Sequence, residues 1–105
     1  MSFTRACSVA EVPENGAIAV TIDGVDVAIA RDGEDFYAIF DECSHEAIPL
    51  SEGDYQGTEI ECWLHGSRFD MRTGKPIGPP ATEPVPIYPV QVTGDEVLVD
   101  VQAPY

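Results

Sequence analysis

Apolar and polar residues alternate with a period of two along much of this chain, and no stretch carries the 3.6-residue period of an amphipathic helix. The alternation predicts strands at residues 17–22 and 25–30, joined by Asp23-Gly24. Asp-Gly between two β-rich runs is a strong hairpin signal, because a type I′ turn needs positive φ at both central positions. A looser turn at residues 31–35, containing Gly33, leads into a strand at 36–40. Near the end of the chain, residues 87–93 and 96–101 form a second hairpin around Gly94-Asp95. A first strand is expected at residues 3–8, with Cys7 on it as a buried apolar residue. The predicted fold is all-β and antiparallel.

The middle of the chain breaks this texture. Residues 41–82 hold both histidines, two of the three cysteines and the single Trp, and only two short β-rich stretches, 59–62 and 68–70. Long connections of this kind are usually functional or disordered. An insert between two hairpins is expected to be organised around something other than apolar packing. At 105 residues the chain has room for one domain, 1–105, with this insert as a subdomain.

Composition narrows the function. Five Lys plus Arg stand against nineteen Asp plus Glu, a formal net charge of −14. Phosphate recognition needs the opposite sign, so no nucleic acid and no anionic membrane surface is expected as a partner. Acidity favours encounter with basic protein partners, or serves solubility alone. The longest apolar run, residues 36–40, is far short of the ~20 residues of a membrane helix, and the first residues do not resemble an export signal. The expected location is the cytoplasm, where three cysteines point to metal binding or catalysis before disulfides.

The chemistry sits in Cys43-Ser44-His45 and Cys62-Trp63-Leu64-His65. Each stretch supplies one thiolate and one imidazole, ligands suited to zinc, iron or an iron–sulfur cluster, whereas Ca²⁺ and Mg²⁺ want oxygen. The residues leave two readings open: a structural Cys₂His₂ zinc module used for interaction, and a redox cluster.

Cys43-x-His45 and Cys62-x-x-His65, followed by Gly66-Ser67, resemble the motif of the Rieske [2Fe–2S] family, and Gly78-Pro79-Pro80 resembles the family's proline loop that shields the cluster. The resemblance implies a β-sandwich or barrel-like fold with an inserted cluster-binding subdomain at about 41–82. It also implies that Cys43 and Cys62 hold one iron of a single [2Fe–2S] cluster and His45 and His65 the other. Two ferric ions, two sulfides and two thiolates with neutral imidazoles leave no net charge, whereas four thiolates would leave two negative charges. Adding an electron is therefore easier here, in a window of about −150 to +300 mV against about −400 mV for plant-type ferredoxins.

Around the ligands, Ser67 matches a donor to bridging sulfide in high-potential relatives, but Phe69 stands where those relatives carry a Tyr that donates to a Cys sulfur. Ile48 and Leu64 stand where they carry an extra disulfide. A potential in the lower or middle part of the window is expected, falling with pH once a ligand histidine deprotonates. Ile48, Pro49, Leu50, Trp63 and Leu64 form either an apolar collar over the cluster or ordinary core. Arg68, Arg72 and Lys75 concentrate basic charge in the cluster segment.

The small relatives in this family are ferredoxins of ring-hydroxylating dioxygenase systems. The implied role is a monomeric electron carrier, not itself an enzyme, between an NAD(P)H-dependent flavin reductase and a non-haem iron oxygenase. Service in iron–sulfur assembly or redox sensing is the alternative use of the same cluster.

Overall fold

The computed structural model describes residues 3–14, 16–33, 35–42, 49–56, 58–62, 68–77 and 83–102. Among the described residues there are ten strands: β1 (Thr4–Ser8), β2 (Gly16–Ile22), β3 (Val25–Asp32), β4 (Asp35–Phe40), β5 (Asp54–Gln56), β6 (Glu59–Glu61), β7 (Arg68–Asp70), β8 (Ile87–Tyr88), β9 (Val90–Thr93) and β10 (Glu96–Val99). Two single 3₁₀ turns, Val9–Glu11 and Leu50–Glu52, complete the described elements. Among the described residues no helix is long and apolar enough to cross a membrane.

The strands form three antiparallel sheets, ordered β1-β10-β9, β2-β3-β4-β8 and β5-β6-β7. The β2–β3 hairpin turns through Asp23 and Gly24, at φ 50° and 79°. Those two positive values are what a type I′ turn demands, and they fit the right-handed twist of the flanking strands.

The four-stranded sheet is the middle layer. Val27, Ile29 and Ala38 pack with Cys7, Val12, Val97 and Val99 against the first sheet. Ala28, Ala30 and Ile39 point the other way, into a second core with Leu50, Tyr55, Ile60, Cys62, Phe69 and Met71. Residues 27–30 are therefore all buried, and β3 shows none of the one-sided exposure that period-two alternation suggests. The small side chains of Ala28 and Ala30 face the third sheet and let it sit close.

Three expectations change in detail. The strand expected over 87–93 is broken at Pro89, which has no N–H to give to a ladder. Its first half pairs with β4 and its second with β10, so this short corner carries the chain between two sheets. The strand at 96–101 ends at Val99, and β5 is an addition the alternation did not reveal. Cys7 is 1% exposed in the first core, as expected. Burial, reinforced by Glu11, pushes its thiol pKa up, so it stays protonated and is no ready metal ligand.

Candidate metal centre

The third sheet carries Cys62, and the segments that hold Cys43, His45 and His65 adjoin its strands in sequence. Its inner row, Tyr55, Ile60 and Phe69, is set by direct cross-strand pairing and continues into Cys62, two residues beyond Ile60 and on the same face. Cys62 is fully buried. Leu50, Ile60 and Phe69 belong to the same cluster, so the thiol sits in apolar surroundings. Cys43, His45 and His65 lie outside the described residues, as do Ile48, Trp63, Leu64, Ser67 and Pro79. Among the described residues no three His, Cys, Asp or Glu side chains form a metal-binding group.

The attachment points of the site are nevertheless defined. The loop after β6 is closed by the Glu61–Arg68 cross-strand pair, with Arg68 Nε 3.2 Å from Glu61 Oε1 and Arg68 Nη1 3.7 Å from Glu59 Oε1. The loop after β4 is closed by Asp41, whose two carboxylate oxygens accept the Ser51 N–H and the Ser51 hydroxyl. The proline segment leaves from Ile77, whose N–H donates to the Arg68 carbonyl (2.8 Å), and returns at Val85, whose N–H donates to the Gly74 carbonyl (2.8 Å). The segments after Cys62 and after Ile77 thus leave beside the Glu61–Arg68 pair of the third sheet, and the segment after β4 enters that sheet at Asp54, the cross-strand partner of Glu61.

The outer face is polar. Asp54, Glu61 and Arg68 form one cross-strand row, and Glu59 and Asp70 belong to the next. Arg72 grips Asp70 through its side chain and its own N–H, which holds the Asp70 carboxyl below its ordinary pKa. Inside, the Tyr55 hydroxyl is buried without a hydrogen-bond partner. Burial, with Asp32 the next cause, pushes its pKa far up. Of the proposed collar, Leu50 is fully buried core and Pro49 is exposed. Phe69 is fully buried beside Ile60, within reach of the cluster of side chains that holds Cys62.

Sequence reasoning missed Asp41, Ser51 and Gly53. Their contacts join residues eight or ten apart in the chain, and no periodicity links them. The one signal was a carboxylate directly after five apolar residues, a place where burial has to be compensated.

An all-β scaffold buries the Cys62 thiol directly before the segment that carries His65 in sequence, as a metal-centre protein would. The Rieske [2Fe-2S] domain family matches residues 2–89. The biphenyl dioxygenase ferredoxin subunit of Pseudomonas sp. (strain KKS102) is 46% identical over 101 residues, covering 95% of this chain and 93% of that protein. The 3-phenylpropionate/cinnamic acid dioxygenase ferredoxin subunit of Shigella boydii serotype 4 (strain Sb227) is 41% identical over 101 residues, covering 95% and 94%. Among solved structures, the ferredoxin of carbazole 1,9a-dioxygenase from Nocardioides aromaticivorans IC177 superposes with a TM-score of 0.90 at 39% identity, covering 94% of this chain and 97% of that one. A chain in a complex of reduced oxygenase and oxidized ferredoxin in carbazole 1,9a-dioxygenase superposes at 0.86 and 35% identity, covering 92% and 91%. This chain belongs to the Rieske [2Fe–2S] domain family, whose domain binds a [2Fe–2S] cluster.

The buried thiol in an apolar cradle fits such a cluster by its donor chemistry, and family membership sets aside the zinc module.

Proposed function

We propose that this protein is a one-electron carrier, the ferredoxin component of a ring-hydroxylating dioxygenase system, folded as one domain with a cluster-binding subdomain at about 41–82. Cys43 and Cys62 hold one iron and His45 and His65 the other, with Ser67, Phe69 and Pro79 around them. When bound, the cluster supplies a one-electron couple at a mild potential. The reading is carried by relatives of nearly equal length that are ferredoxin subunits of dioxygenases.

The chain's own residues have three tasks. Two thiolates and two neutral imidazoles keep the oxidised site uncharged, which favours uptake of an electron. Leu50, Ile60 and Phe69 keep water from Cys62, so little solvent has to reorganise when the charge changes. Asp54, Glu59 and Glu61, outnumbering Arg68 on the outer face, attract a basic surface near the ligand loops. The acceptor is a non-haem iron oxygenase, the donor an NAD(P)H-dependent flavin reductase, and the location the cytoplasm.

The test is anaerobic stopped-flow mixing of dithionite-reduced, desalted protein with the oxidised terminal oxygenase of a biphenyl-type dioxygenase. Rapid return of the oxidised spectrum, slowing as salt is raised, is expected. No transfer to the oxygenase at any ionic strength overturns the proposal.

A further inference from the structure

The two ligand-bearing loops are closed in different ways. The loop after β6 is the end of a hairpin, with Glu61 paired to Arg68 at its base. The loop after β4 has no such ladder. It starts from the middle sheet, where β4 pairs with β3 and β8, and ends in the third sheet, where β5 pairs with β6. Among the described residues no strand pairing joins its two ends.

Asp41 joins them. Its Oδ1 accepts the Ser51 N–H at 2.6 Å and its Oδ2 accepts the Ser51 hydroxyl at 2.7 Å. Its own N–H donates to the Asp26 carbonyl (3.0 Å), which ties the clasp to the β2–β3 hairpin. Asp41 is 8% exposed, and a carboxylate withdrawn from water keeps its place only where hydrogen bonds compensate.

From Ser51 the constraint passes to the second loop. Leu50 is fully buried, and the Gly53 N–H donates to its carbonyl (3.0 Å). Gly53 lies so close to β6 that a Cβ there would collide with the Glu61 carbonyl oxygen. Glu61 is the residue before Cys62. A continuous run of short contacts therefore leads from Asp41 through Ser51 and Gly53 to the backbone that carries the buried thiol.

We propose that Asp41 is a positioning residue that sets the spacing of the first ligand loop against Cys62. This rests on the ligand assignment above, in which each loop gives one ligand to each iron. A slip of one loop against the other then distorts both irons at once.

The experiment compares Asp41→Ala, Asp41→Asn and Ser51→Ala with wild type, all purified with iron and sulfide bound. The readouts are iron release from reduced protein to a ferrous chelator, the EPR line shape, and far-UV circular dichroism. Asp41→Ala is expected to release iron about tenfold faster or more, the size of one lost charge-assisted hydrogen bond, with a broadened or shifted EPR signal. Asn can accept the Ser51 N–H and donate to its hydroxyl, so Asp41→Asn is expected within about threefold of wild type. Ser51→Ala should fall between the two. Should Asp41→Ala fail to fold, Ser51→Ala must still release iron faster than Asp41→Asn, and the reverse order overturns the proposal. Wild-type release and line shape in Asp41→Ala overturn the positioning role alone. A wild type free of iron and sulfide overturns the ligand assignment, and the positioning role with it.

Discussion

Phe69→Tyr probes the site with one added oxygen. Phe69 is fully buried, pairs across the sheet with Ile60 and belongs to the side-chain cluster that holds Cys62. The swap conserves the ring, so packing changes little, and the hydroxyl enters the dry side-chain cluster that includes the Cys62 sulfur, where we expect it to donate to that sulfur. A donor to that sulfur stabilises the reduced state more than the oxidised one. A net hydrogen bond of about 0.5–1.5 kcal/mol, expressed mainly after reduction, raises the potential by roughly 20–60 mV. An unpaired hydroxyl would instead cost about 1–3 kcal/mol of stability and leave the potential where it was. At about 4–8 °C per kcal/mol for a domain near this size, the two outcomes separate in a thermal melt. Protein-film voltammetry and calorimetry on wild type, Phe69→Tyr and Phe69→Leu decide between them. We expect a raised potential with a nearly unchanged melting temperature in Phe69→Tyr. In Phe69→Leu, which loses packing and adds no donor, we expect a lower melting temperature and no rise. A Tyr variant that melts early at the wild-type potential refutes the reasoning.

The Tyr55 hydroxyl is desolvated without a partner, so Tyr55→Phe should stabilise the protein by about 1 kcal/mol, read as a melting temperature several degrees higher. Because burial raises the folded pKa of Tyr55 above its unfolded value of about 10, its contribution is intact below that pH and is lost as pH rises beyond it. Tyr55→Phe should therefore also soften alkaline unfolding, and an unchanged alkaline limb contradicts this. Asp70 behaves oppositely: its folded pKa is depressed, so the unfolded chain binds more protons in that window and stability falls as pH drops through the folded value. Asp70→Asn should flatten the acid limb of a stability–pH curve, modestly because Arg72 is exposed. Ser67→Ala should lower the potential measured by voltammetry, and a potential that stays level removes Ser67 from the tuning set.

Most strands were legible because one-sided burial and turn chemistry agree, as at Asp23-Gly24. The alternation misled where both faces are covered, so β3 at residues 27–30 carries two cores at once. Pro89 was visible in sequence, but a strand that changes sheets there follows from long-range pairing. The thiol-and-imidazole spacing is visible in the sequence because each Cys and His pair is local, and it led to the family that the chain belongs to. The Asp41–Ser51 clasp and the Gly53–Glu61 approach were not, because they join residues separated along the chain and depend on tertiary closeness alone.

The central claim is that Cys43, His45, Cys62 and His65 together hold the cluster of this Rieske domain. It is tested most directly by iron and sulfide analysis with nitrogen-resolved pulsed EPR on reduced wild type, His45→Ala and His65→Ala. The account predicts two irons and two sulfides per chain, and imidazole nitrogen coupling that is diminished or lost with the cluster in either variant. Wild-type nitrogen couplings in both histidine variants would contradict it.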